Sequence, residues 1–490
     1  MSMALENPSQ LYEQDMAIFK MSWIYAIVLC PIVIIISLPN QSMFGKESII
    51  PGIIYLTYCI NIVLIRRGFS DPLAISAFSL FIYGVIPNIA DTSRDTLVSD
   101  FGTGGAYYIY SMAMCAMIVG VGASYLIISP GQRPPKGPPP KNLAMKTRIA
   151  LYISYGGGCA LNLVYISIFG LASGSAVGYE DHFIHNMSTG SGVLLFAAPL
   201  AVTSTCYFLL SDLKKSASNF AIMAIPHALL YLSLGERKYI IIPALTIATY
   251  YVRLVSFKSI FLLTILFSIA WFVFVYLGFL RFNDFSIADA FNPNVQSWFF
   301  QEFSFYIAGE TPSLYGTASA AYEHFIEPLP YFGDYLDSWK MALPQFLFGK
   351  EIFNPLTNRF TVAHNPLSAA LGMGWGFSFW GEAYLVAGTI GIFVVALMMA
   401  LVFRAIYRFG ALQNFYGPRG AAYLTSLYFA LWYQRNAFAH FLKEYAIYQL
   451  ACVALCYYAA SLFTHFTKIN PARSHDGDHP ASGQLSSPRT

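Results

Sequence analysis

Apolar runs of about twenty residues, each closed by charges or by Pro and Gly, recur along most of this chain. In hydrocarbon every backbone N–H and C=O must be bonded within its own segment, so a run of that length is a transmembrane helix. The runs are continuous rather than alternating, which excludes a β-barrel. Composition agrees, with 56% hydrophobic and only 11% charged residues, where soluble domains carry roughly a quarter charged. The chain is therefore expected to be an all-α polytopic membrane protein. About twelve spans are read, at roughly 22–38, 48–65, 72–90, 105–128, 148–171, 191–211, 217–234, 239–257, 259–280, 378–403, 420–438 and 445–465.

The loops between these spans alternate in charge. Arg66 and Arg67 follow the second span, and Arg133, Lys136, Lys141, Lys146 and Arg148 follow the fourth. Lys214 and Lys215 follow the sixth, Arg253 and Lys258 end the eighth, and Arg404 and Arg408 follow the tenth. Excess Lys and Arg mark cytoplasmic loops, so this side is expected to be cytoplasmic, together with both termini. The opposite loops, such as the one holding Glu180 and Asp181, are acidic or neutral. The Pro-rich loop 130–140 reads as an extended spacer. Residues 1–468 form one polytopic transmembrane domain, and the polar tail 469–490 is expected to be disordered. His475 and His479 in that tail read as solvated rather than metal-binding.

Other classes of function are poorly supported. A net charge of +3 implies no nucleic-acid partner. The seven cysteines all fall inside apolar runs and read as small buried hydrophobes rather than disulfides or ligands. There is no P-loop, GxSxG, zinc-type cluster or dinucleotide fingerprint, and the first twenty residues show no cleavable signal pattern. No cofactor and no metal is expected. The triplet Gly156–Gly158 reads as close helix packing, and His227 as hydrogen-bonded between helices.

One segment breaks the apolar pattern. Residues 281–377 carry Arg281, Asp284, Glu302, Glu310, Glu323, His324, Asp334, Asp337, Lys340, Arg359 and His364 among many aromatic residues. Charge alternation puts this large, partly helical loop on the outer side. A single long loop among short ones is where chemistry is expected. SWFFQEFSFYI suggests an amphipathic helix on the membrane surface. The loop's aromatics, including Trp298, Trp339, Trp375 and Trp380, read either as an interfacial belt or as platforms for sugar rings.

Cations also gather at the outer rim, where the positive-inside rule disfavours them. Arg237 and Lys238 close the seventh span. Arg281 follows the ninth, Arg359 lies in the loop, and Arg435 ends the eleventh with His440 and Lys443 close behind. Guanidinium groups bind phosphate bidentately and stay charged. Four arginines from separate parts of the chain would thus suit an anionic, lipid-linked substrate such as a pyrophosphate. The alternative is that they are ordinary interfacial residues reaching for headgroups. His364, just before the chain re-enters the membrane, can take a proton from a hydroxyl or bind phosphate when charged. Glu382, a few residues inside the tenth span, is costly unless paired, and an arginine of the collar is its expected partner. It can also act as a base or hold His364.

Two stretches resemble a family. YFGDYLDSWKMALPQFLFGKEI is similar to the aromatic-Gly-x-Tyr-Leu loop signature of Wzy-type oligosaccharide repeat-unit polymerases. GMGWGFSFWGEAYLVAGTIG resembles their Gly-x-Gly-Phe-Ser, Glu-Ala-Tyr and Phe-Gly-x-x-Gly elements. Gln345 stands after Pro344 where the family usually has arginine, so Arg359 or Arg281 is expected to serve instead. Ala387 replaces the usual Phe before Gly388.

The resemblance implies a metal-independent membrane glycosyltransferase of the bacterial inner membrane with its active site facing the periplasm. It would join undecaprenyl-pyrophosphate-linked oligosaccharide repeat units into O-antigen or exopolysaccharide chains. Arg237, Arg281, Arg359 and Arg435 would bind the pyrophosphate, and His364 or Glu382 would deprotonate the acceptor hydroxyl. Lys238, His440, Lys443, Trp375 and Tyr384 would contact sugar or lipid. Membrane lipids and a chain-length regulator protein are further expected partners. The competing readings are an O-antigen ligase, which differs in its acceptor, and a flippase or transporter. A transporter needs polar or broken helices near the midplane.

Overall fold

The computed structural model of the chain describes residues 8–37, 49–66, 71–89, 96–128, 141–169, 191–211, 287–303, 311–325, 332–342, 354–370, 376–411 and 417–469, and scattered positions from 219 to 285. Among these residues the structure is helical throughout, with no strand. The expected span at 239–257, all but a few positions of 217–234 and half of 259–280 lie outside them, as do the Pro-rich loop, the acidic loop at Glu180 and the tail from 470.

Among the described residues, the helices with defined bounds before the polar segment are Pro8–Ser37 (α1), Ile49–Arg66 (α2), Pro72–Ile89 (α3), Thr96–Phe101 (α4), Gly104–Ile127 (α5), Lys141–Phe169 (α6) and Ser191–Leu210 (α7). Within the polar segment lie Pro293–Gln301 (α8), Thr311–Tyr322 (α9), Phe332–Asp337 (α10), Leu356–His364 (α11) and Pro366–Ala370 (α12). Phe379–Ala411 (α13), Gly417–Trp432 (α14) and Leu450–Ile469 (α15) follow. Among the described residues five helices are long and apolar enough to cross a membrane, namely Tyr12–Ile35, Gly104–Ile127, Lys141–Ser167, Phe379–Gly410 and Phe438–Phe466. Ile50–Arg66, Pro72–Pro87 and Phe196–Leu210 are shorter apolar helices.

Burial sorts these helices into centre and perimeter. The apolar window of α5 is 83% buried, against 28% for α1 and 22% for the last span. In water such exposed faces would be intolerable; in lipid they are the expected outer surface, with Ile27, Leu163, Ile390 and Leu455 pointing outward. The centre is held by close approach at small residues. A Cβ on Gly120 of α5 would lie 3.0 Å from the backbone of Ala396 in α13. In α6, Gly158 faces Ala201 of α7 and the ring of His227, which is hydrogen-bonded to Asn162 at 2.7 Å. Both match the packing read from the sequence. All seven cysteines are free, four of them buried.

Inside the polar segment, α9 is the exception to loop behaviour. Its residues Leu314, Tyr315, Thr317, Ala318, Ser319, Ala320 and Ala321 are at most 2% exposed. The helix is seated against α4, α5 and α13, with Tyr315 stacked on Tyr110 at 5.3 Å and the Ser319 hydroxyl accepting from the Ala106 N–H. A Cβ on Gly316 would come 2.3 Å from the Leu97 Cβ and 2.8 Å from its backbone carbon. Backbone yields poorly, so Gly316→Ala is expected to lower thermal stability by about 1–3 kcal/mol. A melting temperature equal to that of the parent protein would show that α9 has room to move.

The expected eleventh span needs correction at its end. The helix stops at Trp432, passes through a 3-10 turn at Tyr433–Arg435, and breaks where Asn436 and Ala437 take extended backbone. The last helical stretch therefore begins at Phe438, so His440 and Lys443 lie on its first turns rather than in a loop. Likewise α1 starts at Pro8, well before the apolar run, because its polar residues Gln14 and Asp15 have partners. Asp15 pairs with Arg66 at 2.6 Å and with Arg404 at 3.4 Å. Arg66 also meets Asp71 at 2.8 Å, and Gln14 accepts from it at 3.5 Å. This buried ionic cluster joins one end of α1, α2, α3, α5 and α13. The polar segment packs at the other.

Candidate active site

The first turn of α13 is clamped before its charged residue is reached. Ser378 starts the helix: its carbonyl accepts from the Glu382 N–H at 2.9 Å and its hydroxyl from the Gly381 N–H at 3.2 Å, the arrangement of an N-cap serine. The same hydroxyl pairs with the Tyr110 phenol at 3.2 Å, and the Ser378 N–H donates to Thr317 of α9 at 3.1 Å. Trp380 is fully buried and donates its indole N–H to Gln434, whose amide in turn donates to the Ser76 carbonyl. The Gly-Phe-Ser stretch is thus a joint between α5, α9, α13 and the turn after α14.

Glu382, 7% exposed, projects from this joint and accepts from the Phe438 N–H. It caps the short helix Phe438–Phe441, whose own N-cap residue, Ala437, has no side-chain acceptor. The charges acting most on Glu382 are those of Asp334 and Arg359. Asp334 on α10 and Arg359 on α11 form an ion pair at 3.2 Å. Beside them Tyr335 packs its ring on Phe438 at 4.8 Å, and its hydroxyl is buried with no hydrogen-bond partner among the described residues. Burial foremost, and then the Glu382 carboxylate, hold that phenol well above the ordinary tyrosine range. Tyr335 is the Tyr of the aromatic-Gly-x-Tyr-Leu stretch; that match was the signal for it.

His364 ends α11, five residues after Arg359, so the two side chains leave the helix about 140° apart. Arg359 turns to the Glu382 cluster, and His364 to a separate box. The His364 ring lies parallel to Phe360 at 5.6 Å, with Phe101 at 5.7 Å and Phe325 at 6.2 Å. Its Nε2 is 3.7 Å from Asp100 Oδ2, an ion-pair distance when the ring is charged and too long for a hydrogen bond. Asp100 comes from α4, a short helix that the sequence reading did not mark.

Arg435 closes the 3-10 turn and is partly buried, its carbonyl 3.3 Å from where a Cβ on Gly376 would stand. His440 and Lys443 follow it. Leu442–Gln449 is π-helical, an uncommon form that often marks functional positions. Lys443 lies 6.0 Å from the centre of the Tyr448 ring, and the 3-10 turn Ser338–Ala342 of the polar segment packs on this π-helical stretch.

Tyr384 leaves α13 on nearly the opposite face from Glu382. It stacks with Tyr322 at 5.6 Å and with His324 at 5.9 Å, and meets Tyr108 edge-on at 6.0 Å. Just beyond, α13 breaks. Gly388 has φ 58° and ψ −147°, a backbone state that a side chain hardly tolerates. A Cβ on Gly391 would lie 2.0 Å from the Ala383 carbonyl oxygen. The Gly-x-x-Gly spacing therefore has a physical reason: both glycines are required by the bend.

The structure thus gathers Glu382, Arg359, Asp334 and Tyr335 in one cluster, and His364 with Asp100 in another, bridged by α11. Arg237, Lys238, Arg281 and Trp375 lie outside the described residues. Among the described residues no three His, Cys, Asp or Glu side chains come together as a metal-binding group. Comparison with curated proteins and with solved structures gives no match. The family model described as O-antigen polysaccharide polymerase Wzy, however, matches residues 22–466, from within α1 to within α15 and through both clusters of the candidate site, and the chain belongs to that family of membrane proteins of polysaccharide biosynthesis.

Proposed function

We infer that this protein is a glycosyltransferase of the bacterial inner membrane that polymerises undecaprenyl-pyrophosphate-linked oligosaccharide repeat units on the periplasmic face. The observation that carries the reading is α11, which presents a phosphate-binding type of side chain, Arg359, and a proton-accepting one, His364, to two adjoining clusters. In the step, an acceptor hydroxyl oxygen bonds to the anomeric carbon of the donor. The bond from that carbon to the pyrophosphate breaks with its electron pair, and the hydroxyl proton passes to His364. Phe360, Phe101 and Phe325 hold the imidazole, and Asp100, at ion-pair distance, stabilises it once charged.

Arg237, Arg281, Arg359 and Arg435 neutralise the departing pyrophosphate, so the reading needs neither metal nor cofactor. Lys238, His440, Lys443, Trp375 and Tyr384 contact sugar or lipid. Glu382 is assigned as a positioning residue, because one carboxylate oxygen is already bound to the Phe438 N–H. A chain-length regulator fits as a partner in the membrane.

Reconstitution in liposomes with defined lipid-linked repeat units tests the assignment. A ladder of longer glycans is the expected product. Units moved across the bilayer without elongation would overturn it in favour of a transporter. In cells, loss of the protein should leave single repeat units attached to the lipid A core; loss of all attached glycan would indicate a ligase. Arg237→Ala and Arg435→Ala are each expected to abolish chain extension with normal amounts of inserted protein, read on the same gels. Arg359→Lys is expected to reduce extension at least tenfold, because a point charge does not replace a bidentate fork. Normal polymer lengths in all three variants would remove the arginine collar from the mechanism.

A further inference from the structure

Tyr108, Tyr322, Tyr384 and His324 come from three separate elements, α5, α9 with its C-terminal cap, and α13. Their rings form one connected group. Tyr322 and Tyr384 are stacked at 17° and His324 and Tyr384 at 23°, while Tyr108 meets Tyr322 at 5.5 Å. The three tyrosines are partly buried and His324 is exposed, so the group has an open side. Packing alone does not account for it. Phenylalanine would serve a lipid-facing surface as well, yet each of these rings carries a polar tip.

His324 has φ 54°, the one non-glycine residue with positive φ among the described residues. It occupies the left-handed position that ends α9: the His324 N–H donates to the Ala321 carbonyl at 3.1 Å and the Phe325 N–H to the Ala320 carbonyl at 3.0 Å. Glycine is the usual residue there. Strain held at an exposed position, with the ring laid parallel to Tyr384, is more readily explained by binding than by folding. Beside the rings, the Thr389 and Tyr108 hydroxyls pair at 2.8 Å, and among the described residues nothing lies within 4 Å of where a Cβ on the neighbouring Gly388 would stand. Among the described residues the rings therefore border open space at the break in α13.

We propose that these four rings are a subsite on which a pyranose of the acceptor repeat unit stacks, held beside His364 for attack. The place follows from the chain: Phe325, next to His324, lies 6.2 Å from the His364 ring. A sugar over the tyrosines thus has the proton acceptor at its side, whereas the Glu382–Arg359 cluster lies across α11 and α13. Apolar C–H faces of a pyranose suit the rings, and its hydroxyls suit the phenol and imidazole tips. The inference rests on the polymerase reading.

The test uses liposomes holding the full protein, a pre-extended lipid-linked chain as saturating donor, and a single lipid-linked repeat unit as the varied acceptor. Tyr384→Ala and His324→Gly are each expected to raise the acceptor KM about tenfold, what about 1.4 kcal/mol of lost binding yields, with little change in kcat. Tyr384→Phe keeps the stack but loses the phenol tip, and is expected to raise the acceptor KM less than Tyr384→Ala does. His324→Gly separates binding from folding, because glycine takes φ 54° without strain and its melting temperature should equal or exceed the parent's. Lipid-free repeat-unit oligosaccharide should compete with the acceptor in the parent protein and roughly tenfold more weakly in both variants. An unchanged acceptor KM in both variants, or weakened competition by undecaprenyl phosphate instead of the free oligosaccharide, overturns the subsite. Failure of the parent protein to elongate at all overturns the polymerase reading instead.

Discussion

His364→Ala is expected to slow chain extension by about 10²–10⁴, the range lost when a general base is removed. Its surroundings make the result interpretable. The ring is held by Phe360, Phe101 and Phe325 and faces Asp100, so removing it leaves the neighbouring elements with their other contacts. Added imidazole should restore part of the rate, which a purely structural loss would not allow. Glu382 supplies the contrast. Glu382→Gln keeps an oxygen for the Phe438 N–H and is expected to retain extension within a few-fold. Glu382→Ala removes the cap and is expected to cost about 1–3 kcal/mol of stability. Initial rates on ladder gels and melting temperatures of the same preparations check both. If Glu382→Gln falls as far as His364→Ala and imidazole rescues nothing, the base is Glu382 and the assignment above is reversed.

Much of the architecture was legible because length and hydropathy are strong signals in lipid. As helices, the segments read at 48–65, 72–90, 105–128 and 191–211 differ by only a residue at either end from Ile49–Arg66, Pro72–Ile89, Gly104–Ile127 and Ser191–Leu210, though among the described residues only Gly104–Ile127 of these is long and apolar enough to cross a membrane. What hydropathy does not register is polar helix whose partners lie far off in sequence. The first turns of α1 carry Gln14 and Asp15, and Arg66, 51 positions beyond Asp15, together with Arg404 makes them tolerable. Nor does hydropathy distinguish a buried helix of small residues from a loop. TPSLYGTASAAY is neither long nor strongly apolar, yet α9 sits in the core because Gly316 and its alanines let backbones approach. The stop at Asn436–Ala437 and the π-helical turns after it have no strong compositional mark.

The site was legible by residue type more than by partner. An arginine of the collar was expected beside Glu382, and Arg359 does act on it, but the Arg359 ion pair is with Asp334 and the Glu382 hydrogen bond is with a backbone N–H. His364 was read as a loop residue that Glu382 could hold; that it ends helix α11 and faces Asp100 on α4 depends on the tertiary arrangement. His324 was only one charge among many, because a left-handed cap at a histidine follows from how α9 must end against its neighbours. The Gly-x-x-Gly stretch was readable as a pattern, but its cause, the bend that brings Gly391 onto the Ala383 carbonyl, belongs to three dimensions.

The cluster at the opposite end of the helices leads to a second large effect, on stability rather than rate. Arg66 donates to Asp71 from Nε and to Asp15 and the Tyr125 hydroxyl from Nη2, with its side chain 2% exposed. Arg404 lies 3.3 Å over the Tyr125 ring and donates to the Ile128 carbonyl at the end of α5. Two guanidiniums thus balance two carboxylates, Asp15 and Asp71, and Asp71 also caps α3 through the Leu73 N–H at 2.9 Å. Arg66→Met leaves Asp71, 1% exposed at its side chain, without its cation. Breaking one partner of a buried pair costs about 3–5 kcal/mol, because the remaining charge cannot be hydrated. The variant is therefore expected to melt well below the parent protein, measured by the soluble monomer left after heating in detergent. Asp15→Asn, partly exposed and still able to accept, should lose much less. Along α13, Arg404 lies on the order of 30 Å from Glu382. Protein that survives in the Arg66→Met variant should accordingly show parental KM and kcat. A parental melting temperature would mean that water reaches Asp71; altered kinetics with normal stability would mean that this cluster is coupled to the site across the bundle.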